Sequence, residues 1–419
     1  MTLLQIAALL IVLAGLFGAI NYLFLKLPSA IGILVVALLA SIIVMGLDAV
    51  IPGLNVADTI RGQVSGIAFS DALLEGMLGF LLFAGALHVK TSDLKAEWAT
   101  VSLMATMGIA ISTVIVGYGF AWITGMPLLV ALVFGALISP TDPVAVMGVL
   151  RDTNLPKSLE TKIAGESLFN DGVGYVVYLI LVGAAFTGSA HGAADDAGLS
   201  GAALLFAREA FGGAALGLVL GFLTFRLMRR IDDYALEVLL TLGLAFGGYE
   251  LAVALHVSAP IMAVCAGLLI GDVGTRLGMS EETRKYVEAF WKLIDEILNA
   301  VLFLLIGVEV FAVVFDTSHL IAGSAAIVLA LVARFMAVAI PITLLRPFRS
   351  YSGGVIRIMT WGGLKGGISV ALALSLPDSA WKPIILTATY MVVVFSIIVQ
   401  GLTVARLAHH VNPQPSLIP

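Results

Sequence analysis

The 419-residue chain reads as an all-α polytopic membrane protein of about thirteen transmembrane helices. Three observations predict this class. Hydrophobic residues make up 60% of the chain and charged ones 12%, and the mean hydropathy is +1.08, outside the range of ordinary water-soluble domains. Thirteen apolar runs can each cross a hydrocarbon core about 30 Å thick, which takes roughly 20 residues of helix. Lys and Arg also alternate: sixteen fall in loops after odd-numbered runs, and only Arg61, Arg208 and Lys382 after even-numbered ones. That bias puts the C-terminus in the cytoplasm and the N-terminus outside. A net charge of −5 spread over such loops argues against a nucleic-acid partner.

Run one begins near Leu3 with no Lys or Arg ahead of it, so it is expected to be a retained span, not a cleaved signal. Runs two, three and four begin near Ala30, Leu73 and Ala99. Run five begins near Leu128 and contains "GALISPTDPVAVMG", where Pro140 and Pro143 bracket Thr141 and Asp142. Each proline removes a donor and frees a carbonyl, here those of Ala136 and Ser139. Run six begins near Ile163 and carries "GESLFNDG", which puts Glu166, Asn170 and Asp171 where lipid should be. Run seven, near Ala202, follows the small, turn-prone outer stretch "TGSAHGAADDAGLSG". Runs eight and nine begin near Ala235 and Ala259; the single cysteine, Cys265, lies in the ninth and reads as a small packing residue. "GDVGTRLGMSEETRKYVEAFWK" is expected to be a cytoplasmic amphipathic helix leading into run ten, near Leu298. Run eleven, near Leu320, holds Arg334; run twelve, near Gly353, reads "TWGGLKGGISVAL", with Lys365 between paired glycines; run thirteen begins near Ile384. Only a short tail follows it in this chain, too short to form a regulatory domain.

Runs five and twelve are therefore helices with breakers at matching places. Irregular backbone survives at membrane depth only where protein or water satisfies it. Two such helices point to a transporter of inverted six-helix repeats, runs one to six and eight to thirteen, with its site at the midplane.

Five ionisable side chains lie inside predicted spans: Asp142, Glu166, Asp171, Arg334 and Lys365. Each costs roughly 2.5 to 3.5 kcal/mol at the bilayer centre on insertion scales. Asp142 stands before Pro143, as an N-cap acid would, offsetting the positive end of the following half-helix. Lys365 sits where half-helix C-termini present unpaired carbonyls. Both read first as structural charges that make the breaks tolerable. Ser167 and Asp171 are four residues apart on one helix, as are Glu166 and Asn170. The Asp171 carboxylate, the Ser167 hydroxyl and the freed carbonyls around Thr141 could give a hard cation such as Na⁺ its oxygen ligands. The bland alternative has Asp171 only hydrogen-bonding across helices. Buried Arg334 needs a carboxylate, and Glu166 is the natural partner, chiefly structural but able to reach the cation through water.

"SPTDPVAV" followed by "GESLFNDG", then the buried arginine in "LVARFMAV" and "WGGLKGG", resembles the NhaP-type sodium/proton antiporters of monovalent cation:proton antiporter family 1. The resemblance runs along the whole chain, and "FLLIGVE" adds weakly to it. It implies thirteen helices in two inverted repeats (the NhaA/NhaP-like fold), a core bundle moving against a dimerisation domain, and exchange of Na⁺ or Li⁺ for H⁺. On that plan residues 1–97 begin the dimerisation domain, 98–190 form the first half of the core, 200–315 the linker helix and the rest of the dimerisation domain, and 318–410 the second half of the core. By motif, Asp171 is the ion-binding carboxylate, with Asn170 its neutral neighbour, Ser167 and Thr141 further ligands, and Glu166 with Arg334 the interhelical ion pair. The family commonly has Arg where this chain has Lys365, which keeps the charge but loses the rigid fork.

One carboxylate that holds either a proton or a cation suffices for one-to-one exchange, electroneutral because relatives that move net charge carry a second Asp where this chain has Asn170. The expected setting is the inner membrane of a prokaryote, as a homodimer, with no cofactor and no enzymatic activity. Two alternatives stand beside it: Na⁺-coupled import of a small organic anion, and an intramembrane aspartyl protease using Asp142 and Asp171, whose Gly-x-Gly-Asp and Tyr-Asp signatures the chain lacks. His256, His319, His409 and His410 read as ordinary, Trp98, Trp122 and Trp381 as interfacial anchors, and Asp295 and Glu296 either as the wall of a cation-attracting funnel or as residues at the water interface.

Overall fold

The computed structural model describes residues 3–51, 77–150, 155–186, 198–313 and 316–411, and every regular element among them is helical. Helix α1 (Leu3–Ile20) runs through a π turn, Asn21–Leu25, to Lys26 in left-handed conformation, and α2 (Ser29–Val50) starts after Pro28. Then come α3 (Leu78–Leu87) and α4 (Thr91–Thr124), which ends on left-handed Gly125. The fifth run forms two pieces, α5 (Leu128–Ile138) and α6 (Pro143–Leu150). Helices α7 (Lys157–Phe186), α8 (Gly198–Met228) and α9 (Tyr234–Ala254) follow. The next are α10 (Ala259–Leu277), α11 (Glu281–Val308) and α12 (Thr317–Leu345). The twelfth run is again split, into α13 (Val355–Trp361) and α14 (Gly367–Leu374), and α15 (Lys382–Val411) closes the chain.

Local chemistry sets the ends. Asp233 caps α9 by accepting from the Ala235 and Leu236 amides, Ser258 caps α10, Asp316 caps α12, and Ser280 and Thr283 form a reciprocal capping box at α11. Among the described residues, nine helices are long and apolar enough to cross a membrane, and α3 and α5 are shorter apolar helices.

A helix or a broken pair stands at the place of each predicted run. The start of run three, the outer stretch at 187–197, Arg61, Arg151 and the tail beyond 411 lie outside the described residues. Several helices start earlier than the apolar runs suggest. Helix α4 begins at Thr91, not Ala99, so residues 97 and 98 fall inside it, and α7 begins at Lys157, not Ile163. The amphipathic stretch and run ten are one 28-residue helix, while Gly271 to Leu277 close α10 instead. In each case a charged turn continues the helix beyond the apolar stretch, where the hydropathy signal ends but backbone hydrogen bonding does not.

Packing gathers into two buried clusters. One joins α1, α2, α4 to α7 and α11 to α15; the other joins α3 and α8 to α11, with Trp291 fully buried among Phe80, Phe83 and Phe290. Leu, Val and Phe cover much of the outer surface, and Trp122 is 88% exposed, as a chain solvated by lipid requires.

Candidate ion-binding site

Both interrupted helices meet α7 at the centre of the larger cluster. Pro140 cannot donate, so α5 ends at Ile138, and the Ser139 amide closes back on the Ala136 carbonyl at 3.2 Å. Across from it, α13 ends at Trp361, where the Gly362 amide reaches the Ile358 carbonyl at 2.7 Å. The two breaks then bond to each other. The Asp142 amide donates to the Leu364 carbonyl at 2.7 Å. Lys365 Nζ donates to the carbonyls of Ser139 at 2.8 Å and Pro140 at 3.2 Å, and its amide donates to Ser396 Oγ at 2.9 Å. The carbonyls freed by the two prolines thus both find donors, one local and one from the other break.

Contact this close needs glycine. A Cβ at Gly366 would overlap the Asp142 side chain, and one at Gly363 would overlap the Arg334 guanidinium. The paired glycines around Lys365 let one break lie against the other.

Helix α7 supplies the facing polar residues. Asn170 Nδ2 donates to Thr141 Oγ1 at 2.9 Å, the Thr141 amide donates to Asn170 Oδ1 at 3.3 Å, and the hydroxyls of Thr141 and Ser167 are 2.9 Å apart. All three side chains are at most 2% exposed. Asn170 therefore uses both ends of its amide to hold the first break, and the hydroxyl pair lies beside it. Asp171, one residue on, makes no hydrogen bond or ion pair among the described residues, although it is buried. The charges that act on it are Asp142 and Lys365.

Glu166 is held elsewhere. Arg334 donates to both of its carboxylate oxygens, through Nη1 to Oε1 and through Nη2 to Oε2 at 2.9 Å. The same guanidinium donates from Nε and Nη2 to the Met359 carbonyl at 3.2 and 3.0 Å. Arg334 thus braces α7 against the carbonyl end of α13, a partner that sequence reasoning did not supply.

A cavity of about 600 Å³ reaches this centre from one end of the molecule. Asp171, Thr141 and Asp142 line it; Glu166, Ser167 and Asn170 do not. Its walls include Pro28, His88 and a stripe on α11 of Lys292, Asp295, Glu296 and Asn299. Asn299 Nδ2 donates to the Asp295 carbonyl and to its Oδ1, at 2.8 and 3.0 Å. Asp295 and Glu296 stood out in the sequence, but Lys292 and Asn299 did not. Their spacing, three and four apart along one face of an amphipathic helix, is the pattern that would have found them. With Asp142, Asp171, Asp295 and Glu296 against Lys292, the wall carries an excess of carboxylates and favours cations.

The profile of a family described as "Sodium/hydrogen exchanger, transmembrane" matches residues 8–410. The chain is 46% identical over 420 residues to the Na⁺/H⁺ antiporter NhaP of Pseudomonas aeruginosa, covering 97% of each. It is 36% identical to the Na⁺/H⁺ antiporter NhaH of Halobacillus dabanensis, over 91% of this chain and 92% of that one. Its fold is similar to the sodium proton antiporter MjNhaP1 of Methanocaldococcus jannaschii, with a TM-score of 0.75 over 97% of this chain and 98% of the other at 20% identity.

Proposed function

From the chain's membership of the sodium/hydrogen exchanger family, together with its site geometry, we infer that it is a secondary transporter that exchanges Na⁺ or Li⁺ for H⁺. The observation that carries this reading is Asp171: a buried carboxylate without a hydrogen bond among the described residues, at the head of an acidic cavity, beside hydroxyls already held in place. A carboxylate with a fixed partner has its charge neutralised permanently. One without can be neutralised by a proton or by a cation, in turn.

Exchange follows from that choice. Na⁺ enters along the acidic wall and meets Asp171, with the Thr141 and Ser167 hydroxyls as further oxygen ligands. Asn170 positions Thr141 and adds no charge. Binding Na⁺ displaces the proton, and only the neutralised site crosses the barrier, so one Na⁺ is traded for one H⁺ without net charge. Glu166 serves the scaffold through Arg334, and Lys365 and Asp142 fasten the two breaks together, so that the bundle of α4 to α7 with α12 to α15 moves as one body. The cavity mouth, at the Lys292 end, faces the cytoplasm on the charge bias of the loops, and the remaining helices form the face for a second copy. The acidic wall disfavours the organic-anion alternative, because it would repel the substrate.

The test is cation-driven pH change in proteoliposomes, with Na⁺, Li⁺ and K⁺ added in turn and the voltage clamped. Wild type is expected to respond to Na⁺ and Li⁺ whether or not the clamp is present, and folded Asp171→Asn to be silent. Undiminished exchange in Asp171→Asn would remove the single-carboxylate site; a current that tracks the gradient would remove electroneutrality.

A further inference from the structure

Asp171 is not the only buried membrane carboxylate that makes no hydrogen bond among the described residues. Glu309, the last letter of "FLLIGVE", begins a short 3-10 turn, Glu309–Ala312, at the end of α11 and is 1% exposed. Its Oε2 has no hydrogen-bond partner among the described residues, nor has the hydroxyl of Tyr390, which is 6% exposed. The two side chains lie within electrostatic reach of each other. Burying a carboxylate in a bilayer without a partner is costly, and such groups mark ion or proton paths.

The position of Glu309 says which part of the path. Leu302 of α11 packs on Gly367, at the start of α14 and level with the breaks. Glu309 is seven residues further from the cavity mouth, roughly 10 Å along the helix axis. Tyr390 precedes Ser396, which bonds the Lys365 amide, by six residues, roughly 9 Å in the same direction. Tyr178 of α7, whose hydroxyl donates to the Leu372 carbonyl at 2.8 Å, stands seven residues beyond Asp171 on that side. Cavity and Glu309 therefore flank Asp171 from opposite faces. Glu309 also directly continues α11, while Tyr390 belongs to the bundle proposed to move against it.

Among the titratable groups of the surrounding elements, Tyr390 faces Glu309 from α15. The others are Asp48 near the far end of α2, Asp316 and His319 at the start of α12 with Arg334 further along it, Lys382 at the start of α15, paired with Asp378, with Arg406, His409 and His410 at its other end, and, on α11 itself, the charged first turns and the distant Lys292, Asp295 and Glu296 at the cavity mouth. None of these provides a fixed cation beside the carboxylate, so a proton is the species it is suited to hold.

We propose that Glu309 is the proton-accepting residue of the path on the face opposite the cavity, taking protons from that aqueous phase and passing them through water to Asp171 when the site turns that way. Only O–H bonds change: a proton from water binds one Glu309 oxygen, and the same charge equivalent leaves through a water molecule to the Asp171 carboxylate. Tyr390, within electrostatic reach of the acid, acts on its charge across the boundary between α11 and the bundle. This rests on the antiport reading, and its test separates the two.

Glu309→Gln, Glu309→Asp and Tyr390→Phe are reconstituted in one orientation, and Na⁺-driven proton flux is recorded while pH is varied on one face at a time. Glu309→Gln is expected to lose the dependence on pH at the far face, while the dependence on pH and Na⁺ at the cavity face stays as in wild type; Glu309→Asp restores it. Unchanged profiles at both faces overturn the proposal. So does an equal loss at both faces that Glu309→Asp does not rescue, which marks a structural residue. If Glu309→Gln does not fold, Tyr390→Phe is expected to displace the far-face profile alone, and an unmoved profile overturns the proposal equally. A silent wild type removes the antiport reading itself, and with it this proposal.

Discussion

Arg334 gives the sharpest test of how the breaks are held. Its side chain and that of Glu166 are 8% and 3% exposed, and it makes two bonds to Glu166 and two to the Met359 carbonyl. Arg334→Met leaves a buried carboxylate alone, at a cost of about 3 to 5 kcal/mol, and strips Met359 of its donor, which adds about 1 to 3 kcal/mol. Together that is about 4 to 8 kcal/mol. Glu166→Gln keeps an acceptor oxygen and leaves Met359 satisfied, so only the first cost, about 3 to 5 kcal/mol at most, applies. The double variant has no uncompensated charge and is expected to be more stable than Arg334→Met alone. Equilibrium unfolding in mixed micelles, titrated with a denaturing detergent and followed by helical circular dichroism, measures all three. If Arg334→Met proved no less stable than Glu166→Gln, the brace on Met359 would be refuted; if the single costs simply added in the double variant, so would the coupling.

Three further outcomes follow from the same geometry. Gly366→Ala places a Cβ against the Asp142 side chain and is expected to abolish exchange while retaining helical content; a wild-type rate would show that the crossing can open without loss. Lys365→Met leaves two buried carbonyls without their donor, at about 1 to 3 kcal/mol each, and is expected to lower both stability and rate, whereas Lys365→Arg, which keeps a donor, is expected to retain much of each; equal effects would refute the carbonyl role. Because Na⁺ and H⁺ compete for Asp171, raising Na⁺ favours the deprotonated carboxylate. The acid limb of the exchange profile then moves to lower pH by about one unit for each tenfold rise in Na⁺, and a limb that stays put argues for separate sites.

The helices were legible because lipid demands long apolar stretches, and the breaks because Pro140, Pro143 and the glycines around Lys365 cannot sit in ordinary helix. The motif residues of α7 stood out for a related reason, since carboxylates in such surroundings are conspicuous. The sequence placed Lys365 near unpaired carbonyls, but it did not disclose which backbone groups the charges meet. That Lys365 meets the carbonyls of Ser139 and Pro140, and that Arg334 meets that of Met359, depends on how distant segments cross. Residue identity is silent about a carbonyl, which every residue has. The early starts of α4 and α7 were hidden by their charged first turns, which hydropathy reads as loop, whereas the amphipathic pattern had already marked the start of α11 as helix. Asp142 read as a cap from its place before Pro143; its packing on Gly366 appears only when the second break lies against the first.

The bond from Lys365 to the first break also bears on how the protein is made. Lys365 comes 226 residues after Ser139 in the chain. At about 5 to 20 residues per second of synthesis, the ribosome needs roughly ten to fifty seconds to cover that distance. Asn170, 29 residues after Thr141, emerges within a few seconds and can steady the Thr141 end early. The carbonyls of Ser139 and Pro140 have to wait for the lysine. Through that interval the nascent first half holds a polar gap that lipid cannot fill, so it is expected to stay beside the insertion machinery, hydrated, until the second half arrives. A ribosome stalled or a message truncated between the two halves would therefore leave an unstable membrane stub for the quality-control proteases, and not a half-sized transporter.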